Sequence, residues 1–379
     1  MKVIIAAAGT AGHINPGVAI ANKIKEENKD SEIIFIGTDR GIENDLVPRA
    51  GYRLEKIEAY GLSKKISVQN FKNMIKTYKG FIEAKKIIKE FNPDIVIGTG
   101  GYICGAVIWQ AKKLGIPTML HESNAFPGRA VKMLAKKTDT ILVSFKETLG
   151  KIEKCKNVVF TGTPVKIQKI EYSYNEKQDI LNKLNLNSKL PIVLIFGGSQ
   201  GAKAINDSVL KIILNNLKNK VDSSYQIILA AGQKQYNEIN EKLKKENIEI
   251  DNIKNVKILP YIYNMEEIMN VSDLIVARSG AMTITEISNL AKPSILIPLP
   301  NVSNNHQYHN ARTLEQVGGA KIVLNDELDS EILNKEILGI VSSKEILNGM
   351  GKNAFKNSAH DVQNMIYKEI DKLVKNNKR

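Results

Sequence analysis

The sequence predicts an α/β protein built from two doubly wound domains, each with a parallel sheet. Short apolar runs recur between segments of helical period, which is typical of parallel strands covered by helices on both faces. The series pauses once, over the polar segment between residues 161 and 190. On each side of that pause, the first strand runs into a Gly-rich turn and then a helix, as in doubly wound folds.

The apolar runs predict five strands in each half. They cover residues 3–8, 32–37, 94–98, 118–121 and 140–144, then 191–196, 226–230, 256–259, 274–277 and 294–298. A chain of 379 residues, 43% of them hydrophobic, is long enough for two domains that each bury a core. We expect an N-terminal domain over 1–163 and a C-terminal domain over 164–352, with a last amphipathic helix over about 353–375 that packs back on the first.

Basic residues outnumber acidic ones, and most of the excess lies in the first half. The formal net charge is +14 and the isoelectric point is about 9.4. Residues 1–163 contain 26 Lys and Arg against 16 Asp and Glu, a net charge of +10. This bias predicts an anionic partner, for which nucleic acid, membrane headgroups and a phosphorylated substrate all qualify.

Cysteine usage and hydropathy indicate where the protein works. Its cysteines are Cys104 and Cys155, which argues against a disulfide framework or a metal cluster and favours a reducing compartment. No stretch reaches the roughly 18 uninterrupted apolar residues of a membrane span. The apolar start MKVIIAAAG is followed directly by turn residues, so it predicts a first strand rather than a signal peptide. We expect a protein that touches a membrane without crossing it.

Three Gly-rich turns follow predicted strands, at residues 9–13, 98–102 and 197–202. In the third, small residues allow a sharp turn and direct the N–H groups of the next helix towards a ligand, for which phosphate is the natural choice. Ser199 adds a hydroxyl at the expected cap position. The alternative is a tight connection without a ligand. No turn fits G-x-x-x-x-G-K-[ST] or G-x-G-x-x-G, which disfavours ATP hydrolysis and nicotinamide chemistry.

Two later segments carry polar groups after strands. In residues 278–286, RSGAMTITE, a helix start offers N–H groups to a diphosphate, and Glu286 is placed to accept hydrogen bonds from a ribose diol. A solvated glutamate is the plainer alternative. In residues 298–310, amide and imidazole groups suit sugar hydroxyls, although an ordinary surface loop has a similar composition.

Seven motifs occur in one order along the chain: GTAGHINPG, GTGGY, HESNAFPG, TGTPV, GGSQGA, RSGAMTITE and NNHQ. Over essentially its whole length the chain therefore resembles the MurG family, the UDP-N-acetylglucosamine:undecaprenyl-diphospho-muramoyl-pentapeptide N-acetylglucosaminyltransferases of glycosyltransferase family 28. The resemblance implies a GT-B architecture of two Rossmann-like domains facing a cleft. It also implies inverting transfer of N-acetylglucosamine from UDP-N-acetylglucosamine to the C4 hydroxyl of the muramoyl sugar of lipid I, giving lipid II and UDP in peptidoglycan synthesis.

The resemblance also implies roles for particular residues. Ile262 would meet uracil, Glu286 the ribose and Gln307 the sugar. The remaining donor-binding residues would be Ser199, Ala281, Met282 and Thr283 at the diphosphate, with Thr10, Ala11, Gly12 and Asn124 closing over the donor from the first half. The acceptor or its phosphate would lie at Gly100, Gly101 and Tyr102.

Four residues depart from the pattern of the family. Ala8 and Ala11 stand at two positions where glycine is usual, so a phosphate approaches the backbone less closely there. Lys166 stands where Arg is common. It supplies a positive charge but cannot form the paired hydrogen bonds of a guanidinium group. His306 stands where Gln is common, which changes the expected contact with the donor.

Transfer of the sugar needs a base for the acceptor hydroxyl and positive groups for the leaving diphosphate. His13 is the best candidate base, since it lies at a strand-to-helix turn and histidine ordinarily titrates near neutrality. A role in positioning substrate oxygens is an equal alternative for His13, and Glu122 is a less favoured base. The helix starts near Ser199 and Thr283 would stabilise the leaving group.

Arg278 or Lys166 would add positive charge at the leaving diphosphate. No D-x-D sequence occurs, so the usual carboxylate clamp for a metal–diphosphate pair is missing and we expect no obligatory metal. The resemblance implies no cofactor.

Residues 64–89 contain eight lysines and one acidic residue, with apolar side chains at helical spacing. The predicted membrane patch consists of Ile75, Tyr78, Phe81 and Ile82 together with Trp109, near Phe71 and Met74. An apolar stripe with a lysine fringe can rest on an anionic leaflet. The alternative is a helix whose apolar side belongs to the core, and the two interpretations can coexist.

We expect the partners to be UDP-N-acetylglucosamine, lipid I in the bilayer, an anionic membrane surface and other proteins of cell-wall synthesis, at the cytoplasmic face of the cell membrane. A nucleic-acid-binding protein is the competing class, but the basic residues lack interleaved aromatic platforms and a known binding motif, so we expect no nucleic acid. Closer alternatives are a diacylglycerol glycosyltransferase and a UDP-sugar epimerase.

Overall fold

The computed structural model describes residues 1–60 and 68–377, with the side chains of residues 1–60 and 73–377. It divides into two compact units. Unit 1 comprises Met1–Lys166 and Ala359–Arg379, and unit 2 comprises Ile167–Ser358.

Unit 1 is a parallel sheet flanked by helices. Its elements up to residue 166 are β1 (Lys2–Ala7), α1 (Ala11–Glu27), β2 (Glu32–Gly37), α2 (Glu43–Arg49), β3 (Arg53–Lys56), α3 (Val68–Phe91), β4 (Ile95–Gly100), α4 (Ile103–Lys113), β5 (Thr118–Glu122), α5 (Arg129–Leu134), β6 (Thr140–Val143) and β7 (Val158–Phe160). The strand order is β3-β2-β1-β4-β5-β6-β7, with every pairing parallel.

Unit 2 repeats the same plan. Its elements are α6 (Tyr174–Asn182), β8 (Ile192–Phe196), α7 (Lys203–Asn219), β9 (Gln226–Ala230), α8 (Gln233–Lys245), β10 (Val256–Leu259), α9 (Met265–Val271), β11 (Leu274–Ala277), α10 (Ala281–Asn289), β12 (Ser294–Leu296), α11 (His306–Gln316), β13 (Ala320–Ile322), α12 (Ser330–Val341) and α13 (Lys344–Lys356). The parallel sheet has the order β10-β9-β8-β11-β12-β13.

All ten predicted strands are present, with ends within two residues of the prediction. Central strands such as β8 are buried along their whole length, because helices cover both faces of the sheet. The prediction missed β3, β7 and β13, which lie at the edges of the two sheets. β3 and β13 include charged residues and β7 is a run of three apolar residues, so none of them shows the longer apolar run that marks a buried strand.

The prediction of one helix over residues 353–375 is wrong, because two helices cover that region. α13 ends at Lys356, and α14 (Val362–Asn377) begins after a turn in which Asp361 has a left-handed φ of 57°. α14 packs on unit 1, where Ile366, Ile370 and Val374 join the core beside α1. Truncating such a buried side chain to alanine typically costs about 2–5 kcal/mol. Within the described residues, no helix has the length and apolar character needed to span a membrane.

Candidate active site

The Gly-rich turns lie at the switch points of the two sheets. In unit 1, β1 and β4 are adjacent strands. The strands after β1 are added towards one edge of the sheet, and those after β4 towards the other edge. β8 and β11 have the same relation in unit 2. Ligands of doubly wound folds bind in the crevice beyond the carboxyl ends of such strand pairs. The predicted motifs at residues 9–13, 197–202 and 278–286 follow β1, β8 and β11, and the motif at residues 98–102 covers the end of β4 and the turn after it.

The turn after β1 forms the first turn of α1. Thr10 is the N-cap residue without a side-chain capping bond, and Ala11, Gly12 and His13 are the first three helical residues. The first N–H groups of a helix lack intrahelical partners, and the helix dipole favours an anion near them. Thr10, Ala11 and Gly12 therefore lie at the N-terminus of α1, where the sequence predicts contact with a substrate.

The His13 ring is oriented by the backbone around it. Its Nδ1 lies 3.0 Å from the carbonyl oxygen of Ala8, and Thr99 Oγ1 donates to the His13 carbonyl at 2.7 Å. A carbonyl oxygen only accepts, so this bond requires the proton on Nδ1 and leaves the lone pair of a neutral imidazole on Nε2. A base with this tautomer takes a proton at Nε2.

The turn after β4 packs directly against this histidine. Gly100 has φ of +142°, and a Cβ atom added there would overlap the His13 ring. A Cβ at Gly101 would lie 2.6 Å from the Ala8 carbonyl oxygen. Tyr102 is the N-cap residue of α4 and is 44% exposed. The structure thus brings the predicted residues of the first two Gly-rich turns together.

Glu122 holds the HESNAFPG segment together. Its buried carboxylate accepts hydrogen bonds from Asn124 N at 2.9 Å, from Asn124 Nδ2 at 3.1 Å and from Gly128 N at 2.7 Å. Burial raises the pKa of Glu122, and these hydrogen bonds offset part of the effect. Both carboxylate oxygens accept hydrogen bonds from the loop, which favours His13 over Glu122 as a base.

A buried polar cluster joins the HESN and TGTPV motifs. His121 Nε2 lies 3.2 Å from the Gly162 carbonyl oxygen, and its Nδ1 lies 3.3 Å from Ser123 Oγ. Thr163 Oγ1 donates to Ser144 Oγ at 2.6 Å, and that oxygen lies 3.4 Å from His121 Nε2. Burial lowers the pKa of His121 to about 4, so the ring is neutral near pH 7.

A pocket of about 270 Å³ opens at the carboxyl ends of the unit 2 strands. Its lining includes Ser199, Ile262 and Glu286, three residues that the sequence assigned to one donor. The volume is close to the lower end of small-molecule sites, about 300–1,000 Å³. Burial raises the pKa of Glu286 to about 7.

The expected capping role of Ser199 is wrong. α7 begins at Lys203 and its N-cap residue is Ala202, so the turn at residues 198–201 projects Ser199 to the pocket ahead of the helix. Gly201 explains the path, because its positive φ of +74° turns the chain back before the helix starts.

Hydrogen bonds fasten the turn after β11 to the start of α11. Gly280 is the N-cap residue of α10, whose first residues are Ala281, Met282 and Thr283. Ser279 Oγ donates to the Gln307 carbonyl oxygen at 2.8 Å, and Asn310 Nδ2 donates to the Ser279 carbonyl oxygen at 3.2 Å. The first turn of α10 therefore has a fixed place relative to α11.

The predicted sugar-binding side chains of His306 and Gln307 lie at the start of α11. Gln307 Oε1 accepts a hydrogen bond from Leu299 N at 2.9 Å. The side-chain nitrogen Nε2 of Gln307 therefore points away from Leu299. His306 Nδ1 lies 2.9 Å from the Ser303 carbonyl oxygen. Both side chains thus help to shape the loop that they belong to.

The two predicted cations have different surroundings. Arg278 is buried, and its guanidinium donates to the carbonyl oxygens of Ile297 and Pro298 and to Asn325. Lys166 is exposed and is the last residue of unit 1 before the chain enters unit 2. Across the described residues, no group of three or more His, Cys, Asp or Glu side chains is placed to hold a metal ion.

Helix α3 carries the predicted membrane patch. Ile75, Tyr78 and Ile82 are 56%, 70% and 57% exposed. Phe81 and Trp109 are half-buried, and Lys137 Nζ lies 4.1 Å from the centroid of the Trp109 ring. Residues 64–67 and the side chain of Phe71 lie outside the described residues. The exposed members form one face, while Phe81 also packs against the core of unit 1.

Residues 3–143 match the glycosyltransferase family 28 N-terminal domain, and residues 192–366 match the glycosyltransferase family 28 C-terminal domain. The chain belongs to glycosyltransferase family 28. Among the relatives in this family is an Acetivibrio thermocellus protein, named UDP-N-acetylglucosamine--N-acetylmuramyl-(pentapeptide) pyrophosphoryl-undecaprenol N-acetylglucosamine transferase. It is 42% identical over 376 residues, which are 99% of this chain and 99% of that protein.

Solved structures share the fold of this chain. The crystal structure of Acinetobacter baumannii MurG matches with a TM-score of 0.77 and 26% identity, over 98% of this chain and 99% of that chain. The predicted GT-B class, the resemblance to MurG and the assignment as a glycosyltransferase are confirmed. A UDP-GlcNAc 2-epimerase from Neisseria meningitidis, bound to UDP-GlcNAc, matches with a TM-score of 0.62 and 14% identity over 98% of this chain and 100% of that chain, a likeness of fold alone.

Sequence reasoning missed Glu43 and Asn325 at this candidate site, and gave no role to Ser279 within the predicted motif at residues 278–286. Glu43 hydrogen-bonds to Gly9, Asn325 to Arg278, and Ser279 to Gln307. A signal existed for Glu43, because it follows the strand that neighbours β1, and residues after neighbouring parallel strands meet at one edge of the sheet. Asn325 follows a short edge strand that the sequence did not reveal.

Proposed function

We propose that this chain transfers N-acetylglucosamine from UDP-N-acetylglucosamine to the C4 hydroxyl of the muramoyl sugar of lipid I, giving lipid II and UDP with inversion at the anomeric carbon. One observation carries the proposal: in unit 2, Ser199, Ile262 and Glu286 line one pocket at the sheet's switch point. The shared name of full-length relatives at about 40% identity supports the same reaction.

In this proposal unit 2 binds the donor. Ile262 faces uracil, and the Glu286 carboxylate accepts hydrogen bonds from the ribose diol. The N–H groups of Ala281, Met282 and Thr283 at the start of α10, together with the Ser199 hydroxyl, bind the diphosphate. The amide of Gln307 and the ring of His306 contact the sugar from the start of α11.

Unit 1 supplies the base and binds the acceptor. The C4 oxygen attacks the anomeric carbon while its proton passes to Nε2 of His13, and the bond from that carbon to the diphosphate oxygen breaks with its electron pair leaving on UDP. Hydrogen bonds from the α10 start stabilise the departing charge. Attack on the face opposite the leaving group inverts the anomeric configuration.

Thr10, Ala11 and Gly12, at the first turn of α1, close over the donor, and the acceptor or its phosphate lies at the next Gly-rich turn, at Gly100, Gly101 and Tyr102. Tyr102 is placed to pack against the acceptor, because it is exposed beside that turn. Asn124, in the loop that the Glu122 carboxylate holds, also closes over the donor. Lys166 adds a positive charge that draws the anionic substrates.

The chain acts at the cytoplasmic face of the membrane as a peripheral protein, since lipid I is bound in the bilayer. The exposed side chains of α3 insert between headgroups, while neighbouring lysines contact anionic lipids. Lys76 and Lys79 also pair with Glu58, which reduces the net charge of this face. Apolar contact therefore contributes alongside charge, and other proteins of cell-wall synthesis are further partners.

The decisive experiment incubates the purified protein with labelled UDP-N-acetylglucosamine and a short-chain lipid I analogue. We expect labelled lipid II analogue and one UDP per transfer. Omitting the acceptor tests for epimerase activity, because an epimerase converts the sugar nucleotide alone. Diacylglycerol in place of lipid I tests the other glycosyltransferase class. Product in either of these controls and none with lipid I would refute the proposal.

A further inference from the structure

Glu43 is a buried carboxylate next to the turn that carries His13. It is the first residue of α2 and has 0% of its surface exposed. One carboxylate oxygen accepts from Thr38 N at 3.1 Å and from Thr38 Oγ1 at 2.6 Å. The other accepts from the backbone N–H of Gly9 at 3.0 Å. The side chain therefore ties the segment after β2 to the turn after β1.

Two glycines leave the space that this side chain occupies. A Cβ atom at Gly37 would lie 2.9 Å from Glu43 Cγ, and one at Gly41 would overlap the carboxylate itself. Asn44 Nδ2 donates to the carbonyl oxygens of Thr38 and Gly41 at 2.9 Å, which fixes the turn around the carboxylate. The segment is thus shaped to hold an acidic side chain.

The hydrogen bonds keep this buried group ionised. Burial raises the pKa of Glu43, but the bonds from Thr38 and Gly9 lower it by more, so the pKa lies below its ordinary value. A buried charge is tolerated when its oxygens accept hydrogen bonds. An ionised carboxylate holds the Gly9 N–H more strongly than a neutral group would.

Gly9 is held by this bond rather than by packing around its α-carbon. Its φ is +96°, and a Cβ atom added there would meet nothing within 4 Å. The following residues, Thr10 to His13, continue directly into α1. The entry to the helix therefore depends on where the Gly9 amide is fixed, and the amide is fixed by Glu43.

We propose that Glu43 is a positioning residue: it anchors the Gly9 amide and so sets the place and tautomer of the His13 ring. The proposal rests on the proposed role of His13 as the base. Glu43 itself has no access to substrate, so its effect passes through the turn. Small misplacements of a reacting group lower the rate sharply, by about 100-fold for roughly 1 Å.

The test compares Glu43→Gln with Gly41→Ala. The first variant keeps the shape and removes the charge, and the second keeps the charge but displaces the carboxylate. We expect both to lower kcat about 10- to 100-fold, with KM for UDP-N-acetylglucosamine changed less than about threefold, since the proposed contacts with uracil, ribose and diphosphate lie in unit 2. Glu32→Gln and Gly150→Ala are controls, because both sites are exposed and a Cβ at Gly150 has room.

A second readout does not depend on turnover. Long-range proton–nitrogen spectra of the five histidines report the tautomer of each ring, with His13 assigned from His13→Gln. We expect the His13 signal to change from one protonated at Nδ1 to a mixture in Glu43→Gln, with faster amide exchange at Gly9. An unchanged His13 signal and unchanged kcat in both variants would overturn the proposal. A changed signal with unchanged kcat would uphold the positioning and refute His13 as the base.

Discussion

Arg278 Nη2 donates to Asn325 Oδ1 across 2.8 Å, which joins the end of β11 to the turn after β13. The other terminal nitrogen donates to the carbonyl oxygens of Ile297 at 3.0 Å and Pro298 at 3.2 Å. Burial lowers the pKa of Arg278, but a guanidinium stays charged in proteins. Arg278, one of the two cations that the sequence offered for the leaving diphosphate, thus holds the loop that leads to Gln307.

Asn325→Ala should weaken recognition of the donor sugar. Losing a hydrogen bond to a buried charged group costs about 1.5–3 kcal/mol. We expect the loss to make the loop before α11 more mobile. We expect KM for UDP-N-acetylglucosamine to rise about tenfold, which is 1.4 kcal/mol, while the Kd of UDP measured by calorimetry changes less than about threefold. Asn325→Asp should restore KM because it keeps the acceptor.

The exposed Asn215→Ala on α7 is the matched control. Direct contact of Arg278 with the diphosphate would give a different pattern. In that case Arg278→Lys would weaken UDP and UDP-N-acetylglucosamine equally, and Asn325→Ala would leave KM near its wild-type value.

Glu286 should make UDP binding depend on pH. Burial raises its pKa to about 7 in the empty protein, and a ribose diol donating to the carboxylate favours the ionised form. Binding then releases a proton, so affinity rises with pH through 7 and reaches a plateau above it. We expect the Kd of UDP to fall about tenfold from pH 6 to pH 8, as measured by calorimetry in buffers of different ionisation enthalpy.

The raised pKa of Glu286 makes the stability of the ligand-free protein fall with rising pH, whereas UDP affinity rises. A carboxyl group whose folded pKa is raised contributes stability that is lost as pH rises from about 4.5 to 7. Glu286→Gln should therefore raise the melting temperature at pH 8, lower UDP affinity and remove this pH dependence. A wild-type Kd that is flat between pH 6 and pH 8 would refute the role of Glu286 at the ribose.

His13→Ala should separate the two candidate bases. Loss of a general base typically costs about 10²–10⁴ in rate, so we expect kcat to fall in that range with partial rescue by added imidazole. Glu122→Gln should cost about 1–3 kcal/mol of stability, because it disturbs the bonds to Asn124 and Gly128, and should lower kcat less than tenfold. The reverse ranking of the two kcat values would make Glu122 the base.

The interior of the fold was predictable from the sequence for a physical reason. Strands such as β8 are buried on both faces, so their apolar runs are continuous and visible. β3 and β13 lie at sheet edges and mix exposed with buried positions, which leaves no clear period. The break between α13 and α14 depends on the backbone conformation of Asp361, which an amphipathic pattern does not reveal.

The sequence predicted site residues that lie within or close to a recognisable Gly-rich motif. Ser199 and Glu286 follow Gly-rich turns at strand ends, and the structure places both at one pocket. Glu43 and Asn325 accept hydrogen bonds from residues far away in sequence, Gly9 and Arg278. The order of the strands in each sheet determines which residues they meet. The sequence around each of them resembles that of an ordinary surface turn, so it gives no signal of these contacts.

Transfer should proceed without added metal. In the proposed site, the α10 start supplies the groups that stabilise the leaving diphosphate, and the chain has no D-x-D sequence to clamp a metal–diphosphate pair. Initial rates with excess EDTA should stay within about twofold of those with added Mg²⁺ or Mn²⁺, at matched ionic strength. Activity that disappears with EDTA and returns only with a divalent ion would contradict this.

Tyr78→Asp with Ile82→Asp should weaken membrane binding and spare the donor site. Both side chains are largely exposed on α3, so their replacement costs little packing, whereas Phe81 also contacts the core. Two new negative charges oppose the attraction of nearby lysines to anionic lipid, worth about 1 kcal/mol per lysine. We expect sedimentation with phosphatidylglycerol vesicles to fall more than about tenfold, with the Kd of UDP unchanged. Ile332→Asp with Leu338→Asp, on α12 of unit 2, is the matched control, and equal sedimentation of both double variants and the wild type would rule out the patch.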